Sequence, residues 1–176
     1  MNNSLSEMTD SYLRKLYPFM FSLLFVLINN MPIHIPFSHF LRPDVAMACI
    51  YFWTFYRADL FSVAAVVALA ILTDMLSASP LGLNLFAYLC VYLLTKVFAN
   101  YINSGSFIIS WVGFALIALF VFGIKWLLMS CYVRTFLGFN NILLTLLTTL
   151  LIYPLIARIN IFLQNRYLIS DEVIDE

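Results

Sequence analysis

Residues 63–72 read VAAVVALAIL, a run in which every position is apolar. A membrane-spanning β-strand would alternate apolar residues that face lipid with polar residues that face the lumen, so this run argues against a barrel. A helix satisfies its backbone hydrogen bonds internally and can carry apolar side chains on all sides. The stretch therefore indicates helices in a membrane environment.

The composition of the whole chain agrees with this interpretation. Of the 176 residues, 64% are hydrophobic and 10% are charged, whereas soluble domains have about 45–50% and about 25%. Nine Lys and Arg residues balance nine Asp and Glu residues, so the chain has no basic excess that would attract nucleic acid. We predict an integral membrane protein that contacts lipids and has no nucleic-acid partner and no soluble domain.

Six segments are candidates for helices that cross the membrane. About 20 apolar residues cross the hydrocarbon core, and we predict helices over residues 16–33, 44–56, 60–77, 81–99, 107–130 and 142–162. The second segment is the short one of the six. The predicted architecture is an all-α bundle of six transmembrane helices over residues 16–163, between a cytoplasmic tail at 1–15 and an acidic cytoplasmic tail at 164–176.

The distribution of basic residues favours six spans over five. With six spans and a cytoplasmic N-terminus, the cytoplasmic side holds Arg14, Lys15, Arg57, Lys96, Arg158 and Arg166, and the outer side holds Arg42 and Arg134. Without the second span, most of the basic residues would lie outside. Because cytoplasmic loops carry the excess of Lys and Arg, we predict six spans with both termini in the cytoplasm.

Two charged residues fall inside apolar helices. A charge at the centre of the bilayer costs at least about 2.5–3.5 kcal/mol, so Asp74 and Lys125 should each have a partner. Both lie near the outer ends of their helices, which brings a buried Asp74–Lys125 ion pair within reach. A second interpretation is a structural contact from Asp74 to the following turn. A third is a proton relay, but relays usually involve several ionisable groups and this chain has few.

The sequence predicts no catalytic, cofactor-binding or metal-binding residues. A protease dyad would need a second carboxylate beside Asp74, and Asp44 is the remaining acid on the same side of the membrane. His34 and His39 lie in the first outer loop without Cys or Glu ligands nearby, an unpromising metal site.

Two stretches carry a resemblance to a known family. Arg42-Pro43-Asp44 precedes an aromatic-rich short segment, and residues 70–82 read AILTDMLSASPLG, an apolar helix that ends in Asp, a small-residue turn and Leu-Gly. The chain resembles the rod shape-determining MreD family over nearly its whole length. The candidate residues for structure or partner contacts are Arg42, Pro43, Asp74, Ser77, Gly82, Lys125, Pro154 and Arg158. Lys125 is among them because it is a charge inside an apolar helix, and it has no match in the family's pattern.

Three of these positions have an expected physical role. Pro43 would end the outer loop and start the short second helix, where a missing N–H costs nothing. Asp74 could accept backbone N–H groups from the 77–82 turn or from the start of the next helix. Gly82 would permit a tight turn back into the membrane.

The resemblance implies a non-enzymatic component of the bacterial elongation machinery in the inner membrane. Such proteins associate with MreC and, through it, with MreB, RodA and the elongation transpeptidase, and so direct peptidoglycan synthesis. It also implies a fold similar to the S-components of energy-coupling-factor transporters. The alternative function is therefore an S-component-like subunit that binds a small molecule such as a vitamin.

Overall fold

The computed structural model is all-helical in the residues that it describes. These are residues 2–30, 43–77, 80–101, 107–135 and 138–167, with side chains described between residues 16 and 164, and they contain no strand. In chain order the helices are α1 (Asn2–Asn30), α2 (Val45–Tyr56), α3 (Val63–Leu76), α4 (Leu83–Tyr101), α5 (Phe107–Val133) and α6 (Phe139–Tyr167). The predicted all-α class and the order of six helices are confirmed over these ranges.

Several predicted helix ends were wrong. Helix α1 begins at Asn2 rather than at residue 16, and α6 continues to Tyr167 rather than ending at 162. Both extensions are polar, and we had used the apolar run as the limit of the helix. A helix that has already formed adds further residues readily, whatever their polarity, and α1 continues through Pro18. The predicted end of the first helix at residue 33 lies outside the described residues.

Helix α2 forms the centre of the bundle. Ten consecutive residues, from Val45 to Thr54, are buried, and α2 contacts each of the other five helices. A helix that is apolar on every side is typical of a protein core. At about 1.5 Å per residue its length is about 18 Å, which would be too short for a lipid-exposed span, but other helices rather than lipid surround it.

Among the described residues, three helices are long and apolar enough to cross a membrane. They are Leu83–Tyr101, Phe107–Val133 and Phe139–Gln164, while Leu16–Asn30, Val45–Tyr56 and Val63–Leu76 are shorter apolar helices. Large apolar side chains such as Leu93, Leu116 and Leu151 are exposed on the outside of the bundle. Such a surface is suited to lipid rather than to water, and the chain is a membrane protein.

An aromatic cluster joins α2, α5 and α6. The rings of Phe114 and Tyr153 stack with centroids 4.3 Å apart, and the Tyr51 ring lies 5.1 Å from that of Phe114. The Tyr51 hydroxyl donates to the Ser110 carbonyl at 2.9 Å, and the Ser110 hydroxyl lies 2.9 Å from the Tyr153 hydroxyl. The buried tyrosine hydroxyls are thus satisfied, as burial requires.

Gly113 allows α5 to approach its neighbours closely. A Cβ atom at this position would collide with the Phe98 ring and would lie 2.8 Å from the Tyr51 hydroxyl. No larger residue fits without displacing these side chains.

Pro154 lies inside α6 and removes one helical hydrogen bond. Proline has no N–H, so the carbonyl four residues earlier, at Leu150, loses its usual donor. The Trp111 indole N–H of α5 donates to this carbonyl at 3.3 Å. The proline therefore exposes an acceptor that a neighbouring helix uses.

Candidate functional site: an ion pair beside a polar cavity

Asp44 caps the N-terminus of the central helix. Its Oδ1 accepts the Met47 N–H at 3.1 Å, and a carboxylate there also interacts favourably with the helix dipole. The Asp44 N–H donates to the Thr149 hydroxyl of α6 at 2.9 Å. Pro43 precedes this cap rather than starting the helix, and its carbonyl accepts from Asn29 Nδ2 at 3.0 Å. The start of α2 is thereby attached to α1 and α6.

Lys125 forms an ion pair with Asp44. Lys125 Nζ lies 2.8 Å from Asp44 Oδ2, and the Tyr88 hydroxyl donates to Asp44 Oδ1 at 2.6 Å. The ammonium also lies 5.3 Å and 5.4 Å from the ring centroids of Tyr88 and Phe122, within the range of cation–π attraction. The side chains of Lys125 and Asp44 are only 14% and 10% exposed, so solvent screens this pair weakly.

Lys125 pairs with Asp44 and not with Asp74, the partner that the sequence had made geometrically possible. Asp74 lies at the end of α3, where its Oδ2 accepts the Gly82 N–H at 2.8 Å and its Oδ1 accepts the Asn84 N–H at 3.0 Å. Gly82 lies directly before α4 and Asn84 lies in its first turn, where the N–H groups have no partners within the helix. The carboxylate of Asp74 thus joins α3 to the start of α4, which agrees with the expected contact from Asp74 to the following turn and helix.

The turn between α3 and α4 depends on two further residues. Gly82 has a φ of +96°, a conformation that residues with a Cβ rarely adopt. Ser77 follows the end of α3. Its N–H and its hydroxyl both donate to the Thr73 carbonyl, at 2.9 Å and 2.6 Å. Asn84 Nδ2 donates to the Ser77 hydroxyl at 3.4 Å.

A cavity of about 290 Å³ adjoins the ion pair. All six helices contribute residues to its wall, and its polar lining includes Asn29, Asn30, Asp44, Asn84, Tyr88 and Lys125. The structure therefore gathers polar groups that are far apart in the sequence at one end of the bundle.

The structure brings some of the predicted residues together and not others. Pro43, Ser77 and Lys125 line the cavity. Pro154 and Arg158 lie farther along α6, where Arg158 is exposed. The predicted positions Arg42, His34 and His39 lie outside the described residues.

The arrangement is suited to structural contacts and binding. Asp44 pairs with a lysine, and Asp74 accepts two backbone N–H groups, so both carboxylates take part in contacts between elements. In the described part of the chain, no group of three or more His, Cys, Asp and Glu residues lies together.

Sequence reasoning missed two residues of the ion-pair site. Asp44 carried a readable signal, because an Asp directly before an apolar run is a typical helix N-cap. It also lies on the same predicted side of the membrane as Lys125. A tyrosine in an apolar helix, such as Tyr88, needs a partner for its hydroxyl, but the sequence does not indicate which.

These features define a small all-helical membrane protein whose interior charges are held by specific contacts around a polar cavity. The family model described as rod shape-determining protein MreD matches residues 9–166, and the chain belongs to this family. The resemblance predicted from the sequence is confirmed, and the family implies a role in rod shape determination.

A curated relative is also similar to the chain. An uncharacterised protein of Rickettsia prowazekii (strain Madrid E) is 27% identical to it over 109 residues. The match covers 62% of this chain and 61% of that protein. No solved structure matches the chain significantly.

Proposed function

We propose that this chain is a non-enzymatic membrane scaffold of the bacterial cell-elongation complex. It binds MreC and, through MreC, associates with MreB, RodA and the elongation transpeptidase. Its role is to maintain cell shape by directing lateral peptidoglycan synthesis. The observation that carries the proposal is the family match over residues 9–166.

The chemistry of the interior supports a scaffold rather than an enzyme. The Asp44 carboxylate is engaged by Lys125 and Tyr88, and that of Asp74 by the backbone of the next helix. Groups engaged in this way stabilise helix packing. A general acid or base would instead need a proton-transfer partner on a substrate.

The proposed topology has six spans, with both termini on the cytoplasmic side of the inner membrane. The contacts support alternating helix directions, because Asp44 before α2 meets the first half of α4 and the later part of α5. Asp74 at the end of α3 likewise meets the start of α4. The ion pair and cavity then lie toward the outer face.

Affinity purification from native membranes tests the proposal. The tagged full chain is extracted in mild detergent and its co-purifying proteins are identified by mass spectrometry. We expect MreC, with RodA or the elongation transpeptidase at lower yield. The Lys96→Met variant controls for the effect of an exposed substitution, because Lys96 is exposed on α4. It should recover the same partners as the unchanged chain.

A second experiment tests the role in shape. Depletion of the chain in its native host should make rod-shaped cells wider or round, and the wild-type chain should restore them. Unchanged cell width after complete depletion would contradict the proposal.

The transporter subunit is the alternative function, and the polar cavity is the observation that favours it. Ligand pockets combine apolar walls with a few polar groups that converge on the ligand. Recovery of a transmembrane coupling protein with ATPases in the purification, in place of MreC, would replace the scaffold with this alternative.

A further inference from the structure

The cavity beside the Asp44–Lys125 pair has the size of a small binding site. Its volume is about 290 Å³, and ligand pockets range from about 300 to 1,000 Å³. We propose that it binds a compact zwitterion, meaning a molecule or lipid headgroup that carries a primary ammonium and an anionic group.

The charge of the lining selects a ligand without net charge. Asp44 and Lys125 are the charged residues among the described residues that line the cavity, and their charges cancel. Because both side chains are largely buried, a ligand with net charge would introduce a poorly solvated charge without a counterpart. A zwitterion instead places its anionic group beside Lys125 and its ammonium beside Asp44.

Both members of the ion pair retain hydrogen-bonding capacity. A lysine ammonium has three donors, of which Lys125 uses one for Asp44. The carboxylate of Asp44 receives Met47 and Tyr88 on Oδ1 but Lys125 alone on Oδ2, and each carboxylate oxygen has about two acceptor sites. Oδ2 can therefore accept one further ammonium N–H.

The end of α1 adds neutral polar groups to the same cavity. Asn29 Nδ2 donates to the Pro43 carbonyl at 3.0 Å, and Asn30 Nδ2 donates to the Val26 carbonyl at 2.9 Å. Each amide retains a second N–H and a carbonyl oxygen. Val26 and Phe122 supply apolar wall for the carbon atoms between the two charges of the ligand.

A binding experiment on the purified full chain tests the proposal. The thermal unfolding midpoint in detergent is measured against increasing concentrations of glycerophosphoethanolamine and of glycine, two zwitterions that carry a primary ammonium, one anionic group and no net charge. A ligand that binds the folded state raises the midpoint in a saturable way. Inorganic phosphate carries only the anionic group and ethanolamine only the ammonium, and glycerophosphocholine has no ammonium N–H groups. Each should need at least tenfold higher concentration to raise the midpoint equally.

The source of the zwitterion is distinguished in nanodiscs. A higher midpoint in phosphatidylethanolamine than in phosphatidylcholine nanodiscs, with no response to glycine, would identify a lipid headgroup. A response to glycine that is the same in both nanodiscs would identify a free amino acid. Both results support the proposal, whereas no response to glycerophosphoethanolamine, glycine or phosphatidylethanolamine would overturn it.

Two variants connect the binding to the cavity. Lys125→Met removes the cation, and Thr145→Leu adds volume to the wall on α6 and keeps both residues of the ion pair. Each should weaken zwitterion binding at least tenfold, while Lys96→Met should leave it unchanged. If Lys125→Met does not fold, Thr145→Leu decides, and unchanged binding in that variant would refute the assignment to this cavity. The outcome does not depend on whether the chain binds MreC.

Discussion

Replacing Lys125 with Met tests the buried ion pair directly, because Met keeps most of the side-chain length and removes the ammonium with its charge and its N–H donors. The ammonium lies 2.8 Å from Asp44 Oδ2, and the two side chains are 14% and 10% exposed. After the substitution, the Asp44 carboxylate stays buried and loses its counter-charge. We expect a less stable protein that accumulates to a lower level in the membrane.

The structure sets the expected size of this effect. Removing one partner of a buried ion pair typically costs about 3–5 kcal/mol, because the remaining charge is uncompensated. Asp44 keeps the Tyr88 hydroxyl at 2.6 Å and the Met47 N–H at 3.1 Å, so the lower end, about 3 kcal/mol, applies. That loss corresponds to a roughly hundredfold change in the unfolding equilibrium.

The assay is reversible unfolding in mixed detergent micelles, with Lys96→Met as the control. Lys96 is exposed, and its ammonium lies 5.7 Å from the Tyr92 ring centroid. Lys96→Met therefore makes the same substitution beside a tyrosine ring, at a position that has no buried carboxylate to leave unpaired. The double variant Asp44→Asn/Lys125→Met should be more stable than Lys125→Met alone, because it removes the unpaired charge. If Lys125→Met and Lys96→Met were equally stable, the reasoning would be refuted.

Three further substitutions have expected outcomes. Asp74→Ala should lower the amount of protein or of its complex in the membrane, because the amides of Gly82 and Asn84 lose their acceptor. Normal abundance by immunoblot, normal complex formation by purification and normal cell shape by microscopy would contradict this. Gly113→Ala should be about 1–3 kcal/mol less stable than Gly123→Ala in unfolding titrations. The new methyl group would collide with Phe98 at position 113 but would meet no atom within 4 Å at position 123, so equal stabilities would contradict the close packing. Gly82→Ala should cost about 1–2 kcal/mol in the same titration, because its φ of +96° disfavours any residue with a Cβ.

The fold class was readable from the sequence because hydrophobicity alone sets it. An apolar run such as residues 63–72 has few alternatives to a membrane helix or a buried core helix. The helix ends were less readable, as α1 shows by beginning at Asn2. Polar residues can continue a helix beyond its apolar part, and hydrophobicity does not report where they stop.

The central position of α2 was beyond the sequence. Its dozen apolar residues predicted a short helix, but the same composition fits a helix that lies against lipid. Only the packing shows that five other helices surround it. To predict that α2 is buried on all sides, one must know where the neighbouring helices lie, and those helices come from distant parts of the chain.

The sequence by itself determined that a charge inside an apolar helix needs a partner, and it identified Lys125 and Asp74 as such charges. It also included, among several interpretations of Asp74, the local contact that this residue makes, whose N–H donors lie within ten residues. Only the tertiary structure decided the partner of Lys125, because Asp44 is 81 residues away in the chain. Local hydrogen bonds depend on nearby sequence, whereas a long-range ion pair depends on how whole helices pack.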